Sequence, residues 1–173
     1  MNIFYTSECP IEAADTLAYR HIVKMILEGT QMLSTCHHIL GSDLQLKYKP
    51  THPNHPSNVW VRKSKAHYEW LWLHTKRMCE IYTKVSGKIH KTEEVLDELV
   101  NSPTMLLNTY TQPPACVDDD LKGLPVVMAY KTYLNRKYNE WLNREKPLKV
   151  EFKVDTPDWF KIEFNQVKRT LGV

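Results

Sequence analysis

Five polar side chains, His21, Lys24, Glu28, Gln31 and Thr35, recur at steps of three or four residues. That spacing places them on one stripe of a helix. Ile22, Val23, Met25, Ile26, Leu27, Met32 and Leu33 occupy positions between them, and a helix that is apolar nearly all round is a buried one. Burying so many polar groups without partners costs several kcal/mol. His21 and Glu28 lie two turns apart on the stripe, so an imidazole and a carboxylate point the same way about 10 Å apart along the axis. A carboxylate so placed can move protons or stabilise a developing cation. A Lys24–Glu28 pair at i,i+4 on a solvent face, with His21 flanking it, is the plainer alternative.

Further donors follow. The loop Tyr48-Lys49-Pro50-Thr51-His52-Pro53-Asn54-His55-Pro56-Ser57 has a proline at every third position, which holds it near an extended, polyproline-like course. His52, Asn54 and His55 are spaced like metal ligands, but no further ligand sits at a recognisable interval. Contact with a ligand or phosphate, or anchoring of the loop, is expected of them; a metal or other cofactor is not. The next helix carries Arg62, Lys63, Lys65, Lys76, Arg77 and Lys84 against Glu69 and Glu80, interleaved with Trp60, Tyr68, Trp70 and Trp72. Cations among aromatics suit phosphate contact with base stacking. A packed aromatic face backed by a solvated basic one accounts for the pattern equally.

The elements that must position these groups are mainly helical. An apolar start, Met1–Tyr5, leads to a turn with Pro10 near a first helical position. One long helix is expected from Ile11 to Leu40, stopped by Gly41, and a second from Asn58 to Val85, capped by Ser57 and ended by Ser86-Gly87. A short helix over Thr92–Val100, a long connection over 102–124 and a helix over Pro125–Glu145 come next. Leu148–Val154 alternates like a short strand. Thr156-Pro157-Asp158 opens a last helix carrying Trp159, Phe160, Phe164 and Val167. The expected fold is a single-domain, mainly α helical bundle over residues 1–173, with at most a short strand pair.

The chain has 173 residues, a hydrophobic fraction of 42%, a charged fraction of 25% and a net charge of +3. This is ordinary globular composition, which permits a nucleic-acid partner without requiring one. Cys9, Cys36, Cys79 and Cys116 lack metal-binding or redox spacing, and Cys36 and Cys79 read as reduced, buried thiols. With no targeting signal and no apolar run of membrane-spanning length, a cytoplasmic monomer is expected.

Three stretches together resemble the pyrimidine-dimer DNA glycosylase (endonuclease V-type) family, in a divergent, phage-type form. These are His21 with Glu28 in an early buried helix; His55-Pro56 leading through Trp60-Val61-Arg62 to Glu80-Ile81-Tyr82 and Gly87-Lys88; and Pro157-Asp158-Trp159-Phe160-Lys161. The resemblance implies action on damaged or modified pyrimidines in DNA, in the host cytoplasm if the protein is phage-encoded. An amine attacks the sugar C1′ and expels the base, and β-elimination then breaks the strand. It implies the amine of Met1 or the side chain of Lys24 as nucleophile. Glu28 would stabilise the cationic sugar and move protons, and His21 would orient it or contact phosphate. Arg62, Lys65, His52, Asn54 and His55 would hold DNA, and Trp159 would stack on an extrahelical lesion. Two features depart from the family: the chain begins Met1-Asn2, where the family exposes a threonine amine, and it is longer around 102–124. Two other readings stand beside this one. The scaffold could perform a different reaction on modified thymine bases, using Glu28 without an amine, or serve as a non-catalytic nucleic-acid- or protein-binding module.

Overall fold

The computed structural model describes residues 1–105 and 107–163. Its helices are α1 (Pro10–Asp15), α2 (Tyr19–Leu40), α3 (Pro56–Val61), α4 (Lys65–Ser86), α5 (Glu93–Glu98) and α6 (Val126–Leu142), with a 3-10 turn at Asp119–Leu121. Among the described residues there is no strand, so the fold is a mainly α, single-domain bundle. Among the described residues no helix is long and apolar enough to cross a membrane.

Both long helices expected from the pattern are broken. Ala18 is extended between α1 and α2 (φ −63°, ψ 141°). Its N–H is taken by the Tyr138 hydroxyl at 3.1 Å, and that of Tyr19 by the Glu151 carbonyl at 2.7 Å. Distant partners therefore replace the intrahelical bonds lost at the break. The second break lies between α3 and α4, where Ser64 is extended and the Lys65 N–H reaches the Leu107 carbonyl at 2.9 Å. Helix α3 starts earlier than expected, at Pro56, and its cap is His55 rather than Ser57: the His55 Nδ1 accepts the Ser57 N–H at 3.2 Å. The expected stops do occur. Gly41 and Gly87 close α2 and α4 with φ of +71° and +67°, a backbone conformation that costs glycine little.

Two other expectations fail. Residues 148–154 form no ladder; the segment is tied instead through Leu148 N–H to the Trp141 carbonyl and through the Glu151 carbonyl to Tyr19. A lone extended run has no strand to pair with. Nor does a helix open at Pro157: a turn there is followed by non-helical residues up to 163. The side chains of Asn135 and Asn139 hold this tail, bonding the Lys161 N–H and C=O and the Glu163 N–H. Phe164 and Val167 lie outside the described residues.

The core forms around α2 and α4. Ile3, Phe4 and Tyr5 are buried and bridge the layers: Tyr5 meets Trp70 of α4, while Phe4 meets His21 of α2 and Tyr130 and Tyr133 of α6. The aromatics interleaved with the basic residues of α3 and α4 belong to this core. Trp60, Tyr68 and Trp70 are buried, and Trp72 is half-buried. Each gives its hydrogen to a backbone carbonyl, of Thr111, Leu99, Glu8 and Leu96 respectively. Several of the cations are spoken for as well. Lys76 pairs with Glu93 and Asp97, and Arg77 with Asp15 and Glu80. The aromatic half of this pattern is thus a packed face.

Helices α2 and α4 approach closely at Gly29. A Cβ built there would stand 2.3 Å from the Thr75 Oγ1, which is itself bonded to the Leu71 carbonyl. Gly29→Ala gains about 1 kcal/mol of helix propensity but must force apart a β-branched neighbour, at a cost of about 1–3 kcal/mol. We expect a net loss of stability in urea unfolding, largely recovered in the Gly29→Ala/Thr75→Ala double variant. A single variant as stable as the parent would contradict this close crossing.

Candidate functional site

The polar stripe of α2 divides its residues among different neighbours. Thr35 is buried and accepts the Thr51 N–H at 3.0 Å, pinning the proline loop to α2. Lys24 and Glu28 form the expected i,i+4 pair at 3.2 Å. The pair is lopsided, with the Lys24 side chain 66% exposed and that of Glu28 only 14%. What shields Glu28 is the N-terminus. The Met1 amine lies 3.6 Å from Glu28 Oε2, and the Asn2 N–H donates to the same oxygen at 3.2 Å.

The N-terminus is tethered there by residues that the sequence did not single out. The Asn2 side chain gives its Nδ2–H to the Cys116 carbonyl at 2.9 Å and accepts from the Tyr130 hydroxyl at 2.9 Å. Tyr130 in turn accepts the Cys116 N–H at 3.1 Å. Asn58 donates to the carbonyls of Thr51 and His52, both at 2.9 Å, and to the Met1 Sδ at 3.1 Å. Its Oδ1 is buried with no partner among the described residues. Separations of 128 and 57 residues keep these links out of reach of any periodicity in the sequence.

His55 joins this group. It is half-buried, and its pKa is lowered, first by burial and then by the positive N-terminus and by His52, against an opposing pull from Glu28. The amine, Glu28 and His55 therefore share one electrostatic neighbourhood. His52 is exposed with a positive φ of 44°, the one non-glycine residue in that region among the described residues. Asn54 is exposed beside it. Arg62 braces the same loop from below, its guanidinium donating to the Pro53 carbonyl at 2.5 Å. Lys65 makes a solvent-exposed pair with Glu69.

Two of the candidate residues lie apart from Glu28. His21 is 5% exposed and turns its Nδ1 to the Tyr138 hydroxyl at 3.0 Å. Its ring packs between Phe4 and Trp141, with centroids at 4.6 and 4.7 Å, so it does not orient the carboxylate. Trp159 is half-buried on the Tyr138 ring and lines a separate cleft with Thr16 and Asp155. There it is a packing residue whose indole N–H has no partner among the described residues. Cys36 and Cys79 are buried thiols, as expected, with pKa values pushed up to about 12 by burial.

Burial, helped by the charges of Lys24 and Lys137, lowers the His21 pKa from 6.5 to about 3. That of the fully buried His74 is lowered to about 4. Both imidazoles are thus neutral in the folded chain, while the unfolded chain takes up the protons near pH 6.5. The stability that this contributes is complete above pH 6.5 and is lost as pH falls toward the folded values. Between pH 6.5 and 5, unfolding free energy should fall by up to about 1.4 kcal/mol per pH unit for each histidine. Urea titrations across that range test this, and His21→Phe should remove one share of the slope; an unchanged slope would exclude position 21.

No known protein family matches the chain, and no curated protein or solved structure matches it significantly.

Proposed function

We propose that this chain is a DNA glycosylase with AP-lyase activity toward damaged or modified pyrimidines. The observation that carries the proposal is the Met1 amine 3.6 Å from the Glu28 carboxylate. Imine chemistry needs a primary amine in its unprotonated form and a nearby base to take its proton. In the proposed reaction the amine nitrogen bonds to the sugar C1′. The C1′–N bond to the base breaks, and the base leaves with the electron pair and takes up a proton. The C1′–O4′ bond then breaks, O4′ takes up a proton and the open-chain iminium forms. It acidifies the C2′–H, and loss of that proton breaks the C3′–O bond and releases the 3′ phosphate.

Glu28 Oε2 takes the proton of the attacking amine and then faces the cationic sugar, an electrostatic role favoured by its low exposure. Lys24 fixes the other oxygen and is the second candidate nucleophile. Removal of Met1 would leave the amine of Asn2 at the same carboxylate, since its nitrogen is already 3.2 Å from it. His52, Asn54 and His55 on the stiffened loop, with Arg62 and Lys65 behind it, supply phosphate contacts.

Borohydride reduction in the presence of a duplex bearing an abasic site or a pyrimidine dimer should link protein and DNA covalently. Acetylating the N-terminus, or adding one residue before Met1, should abolish the link. Glu28→Gln should slow turnover about 10²–10⁴-fold with unfolding unchanged. Absence of both adduct and nicking would end this reading. Activity that survives the N-terminal block yet falls with Glu28→Gln would point instead to a reaction on modified thymine that uses the carboxylate without an amine.

A further inference from the structure

A cleft of about 830 Å³ opens between the first turns of α2, the face of α6 that carries Tyr133 and Trp141, and residues 148–151. The volume is in the range of pockets that enclose small organic ligands, about 300–1,000 Å³. Its lining holds Arg20, Lys24, Lys137, Arg144 and Lys149, with Glu151 the single carboxylate among the described lining residues. Glu140 is shared by Lys137 and Arg144, at 3.0 and 2.5 Å, so one carboxylate serves two cations. Arg20 is exposed and makes no ion pair among the described residues. The cleft is therefore cationic beyond what its own carboxylates neutralise.

The floor has a different character. Phe4, His21 and Trp141 form a row of packed rings with Tyr133 beside it. His21 carries a further consequence. The Tyr138 hydroxyl accepts the Ala18 N–H, which leaves its own hydrogen for the His21 Nδ1. An imidazole that stays neutral and accepts at Nδ1 bears its hydrogen on Nε2. That N–H has no hydrogen-bond partner among the described residues, and it belongs to a side chain 95% removed from solvent that lines the cleft. The nitrogen itself is not sealed off, so a ligand seated in the cleft can accept from it.

We propose that this cleft binds a nucleoside phosphate, its base against the aromatic floor, a base oxygen or nitrogen accepting from His21 Nε2–H, and its phosphate between Arg20, Lys137 and Arg144. Flat rings stack on aromatic side chains whatever the base, and guanidinium groups match phosphate oxygens in a fixed fork. Lys24 lines the cleft while its ammonium reaches Glu28, so the cleft adjoins the amine–carboxylate pair. The proposal concerns binding alone and does not need the lyase reaction.

Isothermal titration of the full chain with the four deoxynucleoside 5′-monophosphates, with thymidine, and with a short single-stranded oligodeoxynucleotide tests it. Saturable binding of a monophosphate, of the oligonucleotide, or of both is expected, with at least tenfold weaker binding of thymidine. A monophosphate alone would identify a free nucleotide as the ligand, and the oligonucleotide alone a residue within a strand. Arg20→Glu, at an exposed position, and Arg144→Glu should each weaken binding at least tenfold with unfolding unchanged, whereas acetylation of the N-terminus should leave binding intact. Failure of every probe to bind, binding that survives both charge reversals, or thymidine bound as tightly as its phosphate would overturn the proposal.

Discussion

The near contact between Gly29 and Thr75 sets how closely α2 can lie on α4 and which way round it must face. With that edge of α2 committed to α4, the remaining faces are assigned by rotation alone. Position 28, next along the helix, falls beside the N-terminal segment, and position 21, two turns back, falls under the aromatic residues of α6. Any side chain at 29 would push the helices apart and shift both faces together, because packed interiors pass displacement on rather than absorb it. The chemistry of the site is thus coupled to the packing of a residue that has no side chain.

The second dependence is on the first five residues. Chain termini are commonly loose, yet here Ile3, Phe4 and Tyr5 are buried and Asn2 is clasped from both sides. Tyr130 and Cys116 belong to the far end of the sequence, so the amine is located by residues from three separate stretches. That arrangement holds the amine in position, and it places a positive charge, a carboxylate and the His55 ring within mutual electrostatic reach.

Much of the bundle was legible from local signals. Gly41 and Gly87 marked their helix ends because a left-handed cap is a local requirement. The polar stripe of α2 was legible from spacing, as was the Lys24–Glu28 pair. The helix breaks at Ala18 and Ser64 were not, since neither carries a proline or glycine and the groups that stabilise each break come from elsewhere in the fold. The tryptophans of α3 and α4 were ambiguous because stacking platforms and core residues have the same composition; the backbone carbonyls that accept their indole hydrogens decide the matter. His21 and Glu28 share a face in the helix, as the spacing required, but the stripe could not reveal that α6 would claim one and the N-terminus the other.

The break at Ala18 also bears on what keeps the bend in place. Locally, residues 10–40 hold nothing that forbids a continuous helix apart from the Thr16 hydroxyl bonds to the Ala13 carbonyl and to Thr6. The two groups that satisfy the broken backbone, Tyr138 and Glu151, are more than a hundred residues away. The elbow between α1 and α2 thus depends on α6 and the segment after it staying docked, since undocking either would strip a partner from the backbone at the bend.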